Sequence, residues 1–312
     1  MKRSKRKVFR NLFLIFIIII IAVGTYWSFQ YKSGLASADK GPTKEVKTTF
    51  KPFEGANTHI GKMNVLLIGS DSRGEEHSRS DTLMIAHYNQ KTNNVKLVSI
   101  MRDTYVDIPK HGMQKINSAY AFGGPELLRE TIKQNFDIDA NYYAVVDFKG
   151  FSKIIDLLAP DGITVDIPSK MEYGIGMTLH PGKQTLHGDQ VLGYVRYRHD
   201  RLSDFGRVER QQEVLTKVKE QAISMKTLVN LPKILGTADS YIETNVDNKT
   251  ILTIAKGLLA GKSKGMETLR IPIADSYENK NEIVGAVLDA DLEKNKKALK
   301  TFLSSSEQKK TQ

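Results

Sequence analysis

No cysteine occurs among the 312 residues, so disulfides, thiolate-bound zinc and iron–sulfur clusters are excluded. The chain also lacks a Walker-type phosphate loop and a His-Glu-x-x-His metal helix. His180 and His187 flank Pro181-Gly182 at a spacing that matches no metal motif, and they read as loop residues. Positive charge is not spread in the way nucleic-acid binding requires. The formal charge is +11, but Lys2, Arg3, Lys5, Arg6, Lys7 and Arg10 are crowded into the first ten residues with no acid among them. The rest of the chain is only modestly basic and carries no helix-turn-helix signal, which argues against nucleic acid as a partner.

Only one long apolar run is present, Leu12 through Phe29, without a single charge. Its length suits one helical crossing of a bilayer. Tyr26 and Trp27 stand at its far end, where amphipathic rings favour the interface. The basic cluster precedes it, so the positive-inside rule places residues 1–11 in the cytoplasm and everything beyond the anchor outside. The expectation is a single-pass, type II protein of the cell membrane with an uncleaved signal-anchor. The competing reading is a signal peptide cut near Ala36-Ser37-Ala38, but the apolar run is longer than a usual signal core and ends well before that point.

Beyond the anchor (12–29), residues 30–62 are rich in Lys, Thr, Ser, Gly and Pro and read as a linker. From 63 to 275 strand and helix signals alternate. Val65–Ile68, Leu83–Tyr88, Val95–Ile100, Tyr142–Val146, Ile163–Ile167 and Leu269–Ile273 read as strands. Helical patterns begin at Gly124-Pro125 and cover 148–158, 204–226, 227–237 and 248–259. The pattern predicts one α/β domain, a sheet covered by helices. Residues 276–312 are polar and lysine-rich, and a frayed helical tail is expected there.

Charged residues recur where strands end. Asp71 follows the first strand and a Gly-Ser pair, Asp81 precedes the second, and Arg102 follows the third. Strand ends are where α/β sheets bind ligands. Two carboxylates with substrate phosphate oxygens suit magnesium, while turn-making is an equal reading for each aspartate. Arg73 and Arg79 add positive charge to the same loop. Tyr194 through His199 alternates, so as a strand it would put Arg196 and Arg198 on one face, either solvated or meeting an anion. Arg207 and Gln211 share a helix face at i, i+4 near a helix start, where free N–H groups favour phosphate.

In that order, Asn64–Arg73, Arg79–Met84, Val98–Ile108, Lys115–Gly124, Tyr194–Asp200 and Asp204–Gln212 resemble the LytR-CpsA-Psr family of cell-wall assembly enzymes, most of all its LytR-like wall teichoic acid ligases. Met101 stands where many members carry proline. The resemblance implies a mixed sheet flanked by helices, with an apolar tunnel for a lipid; segments such as Phe151–Leu158 and Ile163–Ile167 are candidates to line it, with core packing the favoured reading of each side chain. It implies an extracytoplasmic transferase of a Gram-positive-type envelope. Such an enzyme moves an anionic glycopolymer, here expected to be wall teichoic acid, from a polyprenyl-diphosphate carrier to a peptidoglycan hydroxyl, forming a phosphodiester. By match, Asp71 and Asp81 would bind Mg²⁺ (or Mn²⁺). Arg73, Arg79, Arg102, Arg196, Arg198, Arg207 and Gln211 would hold the diphosphate, with Arg102, Arg196, Arg198 and the two aspartates catalytic. A polyprenyl-diphosphate hydrolase and a membrane-bound transcriptional attenuator are the alternatives, the second disfavoured by the predicted topology.

Overall fold

A computed structural model describes residues 21–22, 24–36, 50–57, 61–70, 80–222, 225–260 and 266–308. Helix α1 covers 24–36. It is followed by β1 (Lys62–Ser70), β2 (Ser80–Asn89), β3 (Asn94–Ile100), β4 (Thr104–Ile108), β5 (Gly112–Lys115), α2 (Ser118–Phe136) and β6 (Tyr142–Val146). Next come α3 (Phe148–Leu158), β7 (Ile163–Ile167), β8 (Gly182–Leu186), α4 (Gly188–Arg196), α5 (Ser203–Ala222), α6 (Met225–Ala238) and β9 (Ile242–Thr244). The chain closes with α7 (Asn248–Ala260), β10 (Glu267–Ile271), β11 (Tyr277–Glu282), β12 (Gly285–Ala290) and α8 (Leu292–Gln308).

The main sheet has the order β10-β3-β2-β1-β6-β9. Strands β1, β2 and β3 form an antiparallel meander, while β6 runs parallel to β1 and β10 parallel to β3. The sheet is therefore mixed and has helices on both faces, as expected of the α/β reading. Alternation along the strands sorts their side chains between two environments. Leu66, Ile68, Leu83, Ile85, Val98 and Ile100 enter a core closed by Leu128, Ile132 and Phe136 of α2 and Leu299 of α8. Leu67, Met84, Ala144 and Val146 turn the other way, toward a cavity beneath α3, α4 and α5. A second core lies among β7, β8 and those helices, and includes Ile155, Ile163, Val165, Leu186, Val191 and Val214.

Three expectations change. Tyr194 through Arg196 is the end of α4, not a strand, with Tyr197 as its extended C-cap; the 3.6-residue burial of Val191, Tyr194 and Val195 overrides the short alternation. Ile163–Ile167 does form a strand, but its apolar residues fill the second core, so β7 does not line the cavity. Residues 277–308 form a hairpin and α8 where a frayed tail is expected. Strand β12 pairs in parallel with β4, and the buried Lys96 reaches Phe302 O of α8. The helix start expected at Gly124-Pro125 falls inside α2, where a preceding helical segment from Ser118 joins it across a kink. Gly123 and Gly124 interrupt it with non-helical angles, and the φ of +64° at Gly124 is open to glycine without strain.

The expected anchor lies largely outside the described residues, and so do parts of the linker. Among the described residues no helix is long and apolar enough to cross a membrane. The described parts of residues 30–62 pack against the domain. Phe53 joins the first core and tilts onto Tyr143. At Gly34 and Gly236, α1 and α6 cross so closely that a Cβ at either position would meet backbone of the other helix.

Candidate functional site

The antiparallel register that pairs Leu83 with Ile100 carries on past the end of β3 to set Asp81 of β2 opposite Arg102. Arg102 Nη1 donates to Asp81 Oδ1 at 2.6 Å. The loop after α4 brings Arg198, whose Nη2 lies 3.3 Å from the same oxygen. Helix α5 adds Arg207, with Nη1 at 3.9 Å from that oxygen. Three guanidinium groups from three elements thus converge on one carboxylate.

Asp204, in the first turn of α5, is the second carboxylate of the group. Its Oδ2 accepts from Arg207 Nη2 at 2.8 Å and lies 3.7 Å from Arg102 Nε, and its Oδ1 is 3.4 Å from Arg198 Nε. Behind Arg102, Asp103 sits 3.5 Å away and is itself held by Lys115 Nζ at 2.9 Å. Arg210 stands apart. It binds Asp200 at 2.6 Å and the carbonyl of Tyr197, so it pins the loop that carries Arg198.

Burial alone would raise the pKa of Asp81, but the charges of Arg102 and Arg198, the Arg102 hydrogen bond and Arg207 outweigh it and hold the carboxyl below its ordinary value. Arg207 is pushed down to about 10, first by burial, with Arg198 and Arg102 adding repulsion against the attraction of Asp204 and Asp81. Despite these pairings, Nε of Arg102, Arg198 and Arg207 is buried without a hydrogen-bond partner among the described residues. Buried donors in native proteins are nearly always satisfied. Two of the three, Arg102 Nε and Arg198 Nε, lie at ion-pair distance from Asp204, so the capacity of the cluster to hold an anion rests on its three converging guanidinium groups.

The cluster lies at the mouth of a cavity of about 500 Å³, within the range of small-ligand sites. The walls are apolar: Leu67, Met84 and Val146 from the sheet, and Phe151, Ile154, Leu158, Leu215 and Val218 from the helices. Asp81, Arg198, Arg207 and Gln211 also border it. Gln211 Nε2 donates to Thr82 Oγ1 at 3.0 Å. Arg196 borders the cavity as well, but its guanidinium lies 4.2 Å over the Phe148 ring rather than among the other arginines.

The structure therefore gathers Asp81, Arg102, Arg198, Arg207 and Gln211 around one cavity mouth and sets Arg196 on its wall. Asp71, Arg73 and Arg79 lie outside the described residues. Sequence reading missed Asp204, Thr82 and the Asp103–Lys115 pair. The signal for Asp204 was available in its i, i+3 spacing to Arg207 within a first helical turn.

For a divalent metal, the donor chemistry is a partial match. All the contacts to Asp81 from the arginines fall on Oδ1, so the carboxylate has a second hard oxygen to offer. Among the described residues no group of three or more acidic or histidine side chains is placed to hold a metal ion. A metal held by Asp81 would take its remaining ligands from elsewhere, as magnesium commonly does with phosphate oxygens and water.

Comparison with known proteins agrees with this picture. The regulatory protein MsrR of Staphylococcus aureus is 40% identical over 279 residues, 89% of this chain and 84% of its own length. The polyisoprenyl-teichoic acid–peptidoglycan teichoic acid transferase TagU of Bacillus cereus is 32% identical over 264 residues, 82% of this chain and 84% of its own. Among solved structures, TagV of B. subtilis superposes with a TM-score of 0.67 at 28% identity, covering 79% of this chain and 99% of that one. TagT bound to LIIa-WTA gives 0.64 at 25% identity, covering 80% and 94%. The family model described as the LytR_cpsA_psr family matches residues 25–301, nearly the whole described domain with its arginine cluster, and the chain is a member of that family.

Proposed function

We propose that this protein transfers an anionic glycopolymer, wall teichoic acid in the first instance, from a polyprenyl-diphosphate carrier to a peptidoglycan hydroxyl outside the cell membrane. The observation that carries the reading is the convergence of Arg102, Arg198 and Arg207 on Asp81 at the edge of an apolar cavity. A prenyl diphosphate has the matching anatomy, an anionic head joined to a hydrocarbon tail. The relatives support the same reading, since TagU is named as a teichoic acid transferase and TagT is found with LIIa-WTA.

Phosphoryl-type transfer depends chiefly on positioning and charge neutralisation. Arg102, Arg198 and Arg207 would grip the two phosphates in forked pairs and stabilise the charge that develops on the leaving group. The apolar walls hold the prenyl chain and fix the direction of departure. An acceptor hydroxyl oxygen attacks the sugar-bearing phosphorus and the bridging P–O bond breaks. Prenyl phosphate leaves, and the hydroxyl proton is released. Asp204 keeps Arg207 charged and aimed. Asp81, with Asp71, would hold Mg²⁺ or Mn²⁺, which when bound supplies further neutralisation of phosphate charge.

Titration calorimetry with a short prenyl diphosphate and the matching prenyl monophosphate tests the clamp. Preference for the diphosphate by about tenfold or more is expected, because charge-assisted contacts to the second phosphate are lost in the monophosphate. Equal affinities would contradict the proposed grip.

A further inference from the structure

Tyr173 is the one large aromatic at the cavity mouth that the diphosphate reading leaves without a task. It is 65% exposed, although the loop that carries it is firmly seated. Met171 and Leu179 pair across the loop's base, and Met171, Ile175 and Leu179 are all buried in the second core. Met177 closes on Gly193 of α4. The backbone reverses at Gly174, whose φ of +75° disfavours any side chain. An anchored loop therefore holds a fixed, exposed aromatic face at the edge of the cavity.

The neighbours indicate what such a face would bind. The His199 ring, also exposed, lies 5.9 Å from that of Tyr173 at 58°, and the Tyr197 ring is 6.1 Å from that of His199. His199 directly follows Arg198, and Tyr173, Gly174, Arg198 and His199 all border the same cavity. Among the described residues the Tyr173 hydroxyl makes no hydrogen bond, and Lys170 is its charged neighbour. The result is an aromatic shelf with free polar edges, one residue from the proposed diphosphate clamp. A flat apolar face with polar groups at its rim suits a pyranose ring, whose C–H face stacks on aromatics while its hydroxyls seek donors and acceptors.

We infer that Tyr173 and His199 form a subsite for a sugar ring, the saccharide attached to the donor's diphosphate. This rests on the diphosphate reading, because the clamp fixes the sugar's distance from the shelf. The acceptor saccharide has the same chemistry, and separate ligands distinguish the two.

The test compares the full-length wild type with Tyr173→Ala, Tyr173→Phe and His199→Ala against three ligands: a prenyl diphosphate without sugar, the same lipid bearing its first sugars, and a soluble peptidoglycan disaccharide fragment. Thermal melts confirm that each variant folds. Tyr173→Ala is expected to weaken the sugar-bearing donor about tenfold and leave the bare prenyl diphosphate within about twofold, with Tyr173→Phe close to wild type. A loss confined to the disaccharide fragment would keep the sugar subsite but assign it to the acceptor. Equal losses for all three ligands, or none for any, would overturn the subsite. Failure of the wild type to bind the bare prenyl diphosphate would instead overturn the diphosphate reading beneath it.

Discussion

Asp204 Oδ2 accepts a hydrogen bond from Arg207 Nη2 at 2.8 Å, one helical turn away, and the Arg207 side chain is only 3% exposed. The same carboxylate faces Arg102 and Arg198, so it is the counter-charge that allows three guanidinium groups to be packed together. Removing it leaves a buried cation with one less partner. Asp204→Ala is expected to destabilise the fold by about 3–5 kcal/mol, read as a lowered midpoint in denaturant titration. A stability unchanged within about 0.5 kcal/mol would show that Arg207 does not depend on this pair.

Arg102 and Arg198 are more exposed, at 23% and 33% of the side chain, and their loss costs the fold less. Arg102→Ala or Arg198→Ala is expected to lower transfer by about 10²–10³-fold with a melting transition close to wild type. Arg102→Lys should recover little, because an ammonium cannot reproduce the forked geometry. Full transfer by either alanine variant would remove that arginine from the clamp.

The depressed pKa of Asp81 fixes the sign of a pH effect. A carboxyl whose folded pKa lies below its unfolded value stabilises the protein at pH above the unfolded value, about 3.9. That contribution is lost as pH falls through the folded value. Asp81→Asn should therefore be less stable than wild type at neutral pH, with the gap closing below about pH 4. A gap independent of pH would mean that ionisation of Asp81 is not what the arginines stabilise. Chelation of divalent cations is expected to suppress transfer and added Mg²⁺ to restore it, whereas transfer indifferent to chelator would contradict the metal assignment.

Much of this arrangement is legible in the chain itself, and the exceptions have physical causes. Strand ends announced Asp81 and Arg102 because the meander's register brings them together. The helix start announced Arg207. Tyr194 through His199 misled because a short alternation over a helix end looks like a strand until its burial partners are known. Asp204 was passed over because an acid in a first helical turn is ordinary; its value depends on Arg102 and Arg198, which arrive from distant segments. Strand β7 was open to a tunnel-wall and a core reading since apolar strands look alike, and its pairing with β8 bears out the favoured core reading. The hairpin and α8 were hidden by polar composition, and the tertiary bond of Lys96 to α8 has no local signature.

The cavity's depth is open to a steric test. Ala144 lies on its sheet wall. Ala144→Phe is expected to fill part of the space and weaken long prenyl diphosphates by about tenfold or more, since an overpacked site costs roughly 1–3 kcal/mol. A water-soluble diphosphate without a lipid tail should be unaffected. If long and short ligands lose affinity equally, the prenyl chain lies elsewhere.

The central claim is a transfer that joins polymer to peptidoglycan. The most direct measurement incubates the purified full-length chain, Mg²⁺, a polyprenyl-diphosphate-linked glycopolymer and peptidoglycan, and identifies the products by mass spectrometry after muramidase digestion. A phosphodiester between polymer and peptidoglycan sugar is expected, with one prenyl phosphate released for each polymer attached. Prenyl phosphate released with free polymer and no attachment would make the protein a hydrolase and contradict the account.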